Sequence, residues 1–177
     1  YHIMNEISFN FQFGTKVLFG RNKIRELKGL LKEYEFSKPC FVVDMALKDN
    51  KFLNSEIEEF KNNKTIISNS FGEPTYEHLE LKRNEINNKS IDVFIGIGGG
   101  STIDLAKGLS VLYTNKSNAL DYMGFNRFNN KIKPIIAIPT TAGSGSEITP
   151  NASFVDTKSK RKMGINGETI RPILAIL

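Results

Sequence analysis

Short, unbroken apolar runs alternate along this chain with segments whose apolar residues recur at helical spacing. The runs are Val17-Leu18-Phe19, Cys40-Phe41-Val42-Val43, Thr65-Ile66-Ile67, Val93 to Ile97 and Ile135-Ile136-Ala137-Ile138. Between them, Ile24, Leu27, Leu31 and Tyr34 mark one helix, and Leu53, Ile57 and Phe60 a second. Leu79 and Ile86 mark a third, and Leu105, Leu109 and Leu112 a fourth. Strands that are apolar at every position are buried on both faces, and a strand–helix–strand rhythm sets successive strands parallel. The pattern predicts an α/β fold: a parallel sheet with helices on both faces.

Local signals place the boundaries. Asn22 is a candidate cap for the first helix, Pro74 and Thr75 open the third, and Pro139 stops the strand before it. Near the start, Ile7, Phe9, Phe11 and Phe13 alternate with polar residues, as in a strand with one buried face. Beyond Pro139 the rhythm gives way to a Gly- and Thr-rich loop and then a hairpin around Asp156 to Arg161. The last residues, Pro172 to Leu177, read as another buried strand. An apolar strand left at a sheet edge invites aggregation, so the expectation is the first part of a longer protein.

Composition narrows the function. No apolar run in the 177 residues could cross a bilayer, no secretory leader is visible, and a reducing cytoplasm is expected. The lone Cys40 excludes an internal disulfide and a cysteine-based zinc site. A net charge of +5 raises nucleic acid as a partner. The lysines are scattered, however, and the one dense run, Lys158 to Lys162, has no aromatic residue interleaved with it. No nucleic acid and no membrane partner is expected.

After the Val93–Ile97 run comes GIGGGSTIDLAK, Gly96 to Lys107. In open α/β sheets, ligands bind beyond the carboxyl ends of the strands. A helix starting there offers unpaired N–H groups and a positive dipole end, and glycines let a phosphate approach them. Neither G-x-G-x-x-G nor a Walker loop fits, because Ser101 stands where the third glycine would and no Gly-Lys-Ser/Thr follows. The alternative is a bare turn with a capped helix. Ser101 and Asp104 have capping-box spacing, with Asp in place of Glu or Gln, but capping does not account for three successive glycines. A second loop, Pro139-Thr140-Thr141-Ala142-Gly143-Ser144-Gly145-Ser146-Glu147, also follows an apolar strand. Alone it is an ordinary polar loop. Beside the first it suggests one long ligand spanning two strand ends.

Together these segments resemble the iron-containing alcohol dehydrogenase family, whose members carry GGGS-x-x-D-x-A-K and P-T-T-A-G-T/S-G-S-E. Gly98 to Lys107 and Pro139 to Glu147 match them. The resemblance implies a Rossmann-like dinucleotide-binding domain over residues 1–177, the first half of a two-domain dehydrogenase. It implies that Gly98, Gly99, Gly100 and Ser101 cradle the cofactor's pyrophosphate. Asp104 would brace that loop or touch the cofactor, Thr140, Thr141 and Ser144 would contact its adenosine or phosphate part, and Lys162 would lie near its ribose. Asp44 ends the Cys40–Val43 run, where a carboxylate can accept from both ribose hydroxyls of NAD and would repel the extra phosphate of NADP. NAD rather than NADP is therefore expected. One departure is Glu73-Pro74-Thr75, where the family often has Asn-Pro-Thr.

Hydride transfer to or from a small alcohol or aldehyde needs the alkoxide stabilised, and a divalent metal does this as a Lewis acid. Neither His2 nor His78 belongs to a ligand cluster, and both read as solvated. The resemblance implies that the metal, iron by the family's name, is held by a helical second domain beyond Leu177. This segment alone would bind cofactor without catalysing, and the whole enzyme would be a homodimer, with the Ile7–Phe13 strand a candidate for its interface. Relatives of dehydroquinate synthase and glycerol dehydrogenase share the fold, and a non-catalytic nucleotide-binding module would share this half; these readings stay open.

Overall fold

A computed structural model describes residues 14–70 and 72–177. The expected Ile7–Phe13 strand and His2 lie outside them. Nine strands and four α-helices follow in chain order among the described residues. They are β1 (Lys16–Leu18), α1 (Leu27–Glu33), β2 (Pro39–Asp44), α2 (Lys51–Glu58), β3 (Thr65–Asn69), α3 (Tyr76–Ile86) and β4 (Val93–Gly98). Then come α4 (Gly100–Thr114), β5 (Gly124–Phe125), β6 (Ile135–Pro139), β7 (Asn151–Asp156), β8 (Arg161–Asn166) and β9 (Leu174–Ile176). Each apolar run becomes a strand and each periodic segment a helix. No helix among the described residues is long and apolar enough to cross a membrane.

Six strands form one parallel sheet in the order β1-β9-β6-β4-β2-β3. Side-chain alternation divides the core between its faces. Phe41, Val43, Val93, Ile95 and Ile97 pack against Leu27, Leu31, Leu53 and Ile57 of α1 and α2. Cys40, Val42 and Phe94 pack against Leu79 and Ile86 of α3 and Leu105 and Leu109 of α4. Burial pushes the Cys40 thiol up to about 12, which leaves it an unreactive core residue.

Helix α4 is the most enclosed element. Every residue from Thr102 to Leu112 is buried, because the sheet covers one side while α3 and a second, three-stranded sheet cover the other. That smaller sheet has the order β5-β8-β7, with the expected hairpin as its antiparallel pair, Asn151 opposite Asn166 through Asp156 opposite Arg161. Its Phe154 meets Tyr76 of α3 at 5.4 Å between ring centroids. Full burial of side chains such as Leu105 and Leu109 contributes roughly 1.5–3 kcal/mol each.

Two local expectations change. Asn22 precedes a 3₁₀ turn, Lys23–Glu26, rather than α1 itself, and makes no capping bond; its backbone is left-handed at φ 61°. His78 is half-buried and works as a cap: Thr75 N–H donates to its Nδ1 while its own N–H donates to Thr75 Oγ1. The last strand is buried, as its composition implies: β9 lies between β1 and β6 in the sheet.

The topology also locates the site. From β2 the chain steps outward to β3, but from β4 it steps the opposite way to β6. The order therefore reverses between β2 and β4, and the crevice at their carboxyl ends is where open α/β sheets hold ligands.

Candidate functional site

Both sides of that crevice are built from residues the sequence singled out. At the end of β4 the backbone turns through Gly98 at φ 152°, a conformation L side chains rarely adopt. A Cβ there would also lie 2.8 Å from the Asp44 Cβ and 2.9 Å from the Thr102 Cβ. Gly99 takes the cap position of α4, and no side chain caps the first turn. The amides of Thr102 and Ile103 both donate to Gly99 O, at 3.0 and 3.2 Å. The amides of Gly100 and Ser101 are then the ones the helix cannot itself satisfy. The capping box that Ser101 and Asp104 offered as the alternative is not formed, because Gly99 occupies the cap and leaves Ser101 two positions inside the helix. Three glycines thus leave a helix end bare where a cap would have closed it.

The second loop closes over this end. Thr140 N–H donates to Gly98 O at 2.9 Å, and Thr141 sits over Gly99. Ser144 presses on Gly100 so closely that a Cβ at Gly100 would lie 2.7 Å from the Ser144 Cβ and 3.2 Å from Ser146 Oγ. In front of them opens a cavity of about 510 Å³, lined by Gly100, Ser101, Asp104, Ser144, Ser146 and Lys162 among others. On the other side of the strand ends lies a smaller hollow of about 250 Å³. Its wall includes Leu47, Leu53, Ile97, Ile138 and Thr140.

Asp44 stands at the tip of β2, beside the Gly98 turn. Its Oδ1 accepts from Ala46 N–H at 2.9 Å, and Thr102 Oγ1 donates to its Oδ2 at 3.5 Å. Asn69 of β3 in turn donates to Thr102 Oγ1 at 2.9 Å. A short relay thus fixes the carboxylate beside the glycine turn, and each oxygen keeps a further lone pair for a ligand hydroxyl. Lys162 of β8 is exposed and pairs with Glu73 across the cavity mouth.

Asp104 and Lys107 lie deeper. Asp104 Oδ2 accepts from Ser153 N–H at 2.9 Å, while its buried Oδ1 has no hydrogen-bond partner and lies 4.0 Å from Lys107 Nζ. Burial raises the Asp104 carboxyl above the usual range; the Ser153 amide and the Lys107 charge oppose that rise. Ser146 is near enough to favour the charged form without forming a hydrogen bond to Oδ1. Lys107 is wholly buried and donates to Thr149 O at 2.8 Å and Asn151 O at 2.7 Å. Burial pushes it down to about 8, against the pull of Asp104.

The structure therefore gathers Asp44, Gly98, Gly99, Gly100, Ser101, Asp104, Thr140, Thr141, Ser144 and Lys162 around the strand ends. Sequence reasoning missed Thr102, Asn69 and Lys107 as parts of the site. Only Lys107 carried a signal, a lysine among the apolar residues of α4. Among the described residues no group of three or more His, Cys, Asp or Glu is gathered to hold a metal.

A parallel sheet, a switch-point crevice, an uncapped glycine-rich helix end and a flanking strand-end carboxylate define a Rossmann-like α/β domain with a candidate anion site. The sequence profile of iron-containing alcohol dehydrogenases matches residues 14–177, and the chain belongs to that family. It is 29% identical over 171 residues to the NAD-dependent methanol dehydrogenase of Bacillus methanolicus, covering 95% of this chain and 45% of that protein. It is 32% identical over 156 residues to the sulfoacetaldehyde reductase of Bilophila wadsworthia, covering 86% of this chain and 40% of that one. Among solved structures, sulfoacetaldehyde reductase from Bifidobacterium kashiwanohense, in complex with NAD+, superposes with a TM-score of 0.88. At 23% identity, over 96% of this chain and 46% of that one, it shows the fold. The iron-containing alcohol dehydrogenase of Thermococcus thioreducens gives 0.81 at 25% identity, over 95% of this chain and 46% of that one. The chain thus spans just under half the length of these relatives.

Proposed function

We propose that residues 1–177 form the NAD-binding domain of an alcohol dehydrogenase that moves a hydride between a nicotinamide cofactor and a small alcohol or aldehyde. The observation that carries this reading is the bare first turn of α4, opening into the larger cavity at the switch point. The Gly100 and Ser101 amides would hold the pyrophosphate, with the dipole end of the helix favouring its charge. The hydroxyls of Ser101, Thr140, Thr141 and Ser144 would donate to phosphate oxygens or ribose. Asp44 would accept from the ribose hydroxyls and disfavour NADP by charge repulsion. Lys162, released from Glu73, would reach a ribose at the cavity mouth.

When bound, the nicotinamide supplies the two-electron hydride chemistry. The chain's own part is to grip the diphosphate, orient the ring into the larger cavity and keep the helix end free of side chains. The metal, iron by the family's name, would be held in a second, helical domain by side chains outside the described residues, which gather no ligand set of their own. A homodimer in the cytoplasm completes the reading, on the strength of the family resemblance. The test is a fluorescence titration of the protein with NADH and NADPH. Saturable binding that favours NADH is expected; no binding of either would overturn the proposal.

A further inference from the structure

The wall of the larger cavity opposite the helix end is the segment Ile148 to Ser153, and its backbone is held almost entirely from outside itself. Arg171 Nη1 donates to Ile148 O at 2.6 Å, and Gly167 N–H donates to Pro150 O at 3.0 Å. Lys107 Nζ donates to Thr149 O and Asn151 O, and Ser153 N–H donates to Asp104 Oδ2. Two residues one turn apart on α4 therefore capture three backbone groups of this wall. The same helix offers its bare end to the cofactor. Thr149, Asn151 and Ser153 all line the cavity.

We propose that Lys107 is a positioning residue for the cofactor: its ammonium fastens the Thr149–Ser153 wall to α4 and cancels the charge of Asp104 behind the anion site. The proposal rests on the dinucleotide reading above. A lysine is suited to this place because two carbonyl oxygens attract an ammonium and an apolar side chain would leave both unpaired. Charge matters as well as reach. Asp104 Oδ1 has no hydrogen-bond partner, so without the ammonium 4.0 Å away its charge would stand uncompensated behind the region where the diphosphate would lie. The charged groups around Lys107 are Asp104 on its own helix, Glu147 in the loop after β6 and Arg171 before β9; the first two favour the ammonium and Arg171 opposes it. Lys162 acts on Asp104 from the far side of the cavity.

The test is the NADH dissociation constant of the full chain, measured by fluorescence from pH 7 to 9.5, for wild type and Lys107→Met. Wild type is expected to weaken about threefold as pH rises through the range where Lys107 gives up its proton. The Met variant is expected to bind about tenfold more weakly at pH 7 and to show no such pH dependence. A merely structural lysine would not place an inflection in the wild-type affinity, so that profile decides the matter even if the variant fails to fold. A flat wild-type profile, or a folded Met variant with wild-type affinity, overturns the proposal while leaving the dinucleotide reading intact. No NADH binding by wild type at pH 7 overturns both.

Discussion

On the α3–α4 side of the strand ends, the hollow is lined by bare backbone, hydroxyls and charge: Gly100, Ser101, Ser144, Asp104 and Lys162. On the α1–α2 side, it is lined mostly by hydrocarbon: Leu47, Leu53, Ile97 and Ile138. The tip of β4 is the rim between them, with Ile97 on one side and the helix end on the other. A ligand with an anionic middle, a polar end and a flat, largely apolar end would lie across that rim and match both sides. Under the proposed function, the contrast between the two hollows sets an orientation as well as a site. The adenine end would take the apolar side, and the nicotinamide end the polar side.

The sharpest way to break this contrast is to fill the polar side at its narrowest point. Gly100→Val places branches where even a Cβ would sit 2.7 Å from Ser144. It should lower NADH affinity by about a hundredfold or more, through loss of the amide cradle and displacement of the second loop. Calorimetric titration would check it, and a variant that binds as wild type would show that the helix end is not the anchor.

Asp44 at the rim sharpens the contrast in another direction. Asp44→Gly removes a carboxylate that repels a ribose phosphate, so the ratio of NADP to NAD use should rise about tenfold. Steady-state kinetics of the whole enzyme with both cofactors would measure it. An unchanged ratio would mean that the carboxylate serves the Ala46 cap and the Thr102 relay alone. The apolar side is probed by Leu47→Gln. It should weaken NADH about fivefold and leave reduced nicotinamide mononucleotide, which has no adenine, unaffected. Equal weakening of both ligands would reverse the proposed orientation.

How far these features were legible in the sequence differs by feature, for physical reasons. The sheet was legible because its central strands β2, β4 and β6 are apolar almost throughout, a composition that a doubly covered parallel strand tolerates. The glycine turn was legible because glycine is costly unless backbone must be exposed. Spacing alone left the capping box open as an alternative, because it cannot say which residue ends up at the cap; Gly99 took it. That β9 is buried was legible from its composition, but its pairing with β1, over 150 residues earlier, is invisible to local pattern. Thr102 and Asn69 were missed for the same reason, and Lys107, though visible as a lysine in an apolar helix, gave no hint of its partners. Their roles lie in contacts with Asp44, Asn69 and the Thr149–Ser153 wall, all distant along the chain.

The smallest expected effect concerns stability, and it separates the two sides once more, since only the polar one has a buried cation behind it. Folding takes Lys107 from its ordinary 10.5 down to about 8. Between those values the unfolded chain holds a proton that the folded one has released, so this group makes the fold more stable as pH rises through the window. As pH falls toward 8, that contribution is lost, because the folded state must again carry a buried charge. Between pH 7 and 9 the gain should be about 1 kcal/mol for wild type relative to Lys107→Met, read as the change with pH in the difference between their denaturant midpoints. NADH affinity is expected to move the other way over the same range. One lysine would then cost the fold stability at neutral pH while fixing the wall that the cofactor meets. If stability and affinity instead rose together with pH, the ammonium would be a burden to both, and the neutral amine would be the form that shapes the cavity.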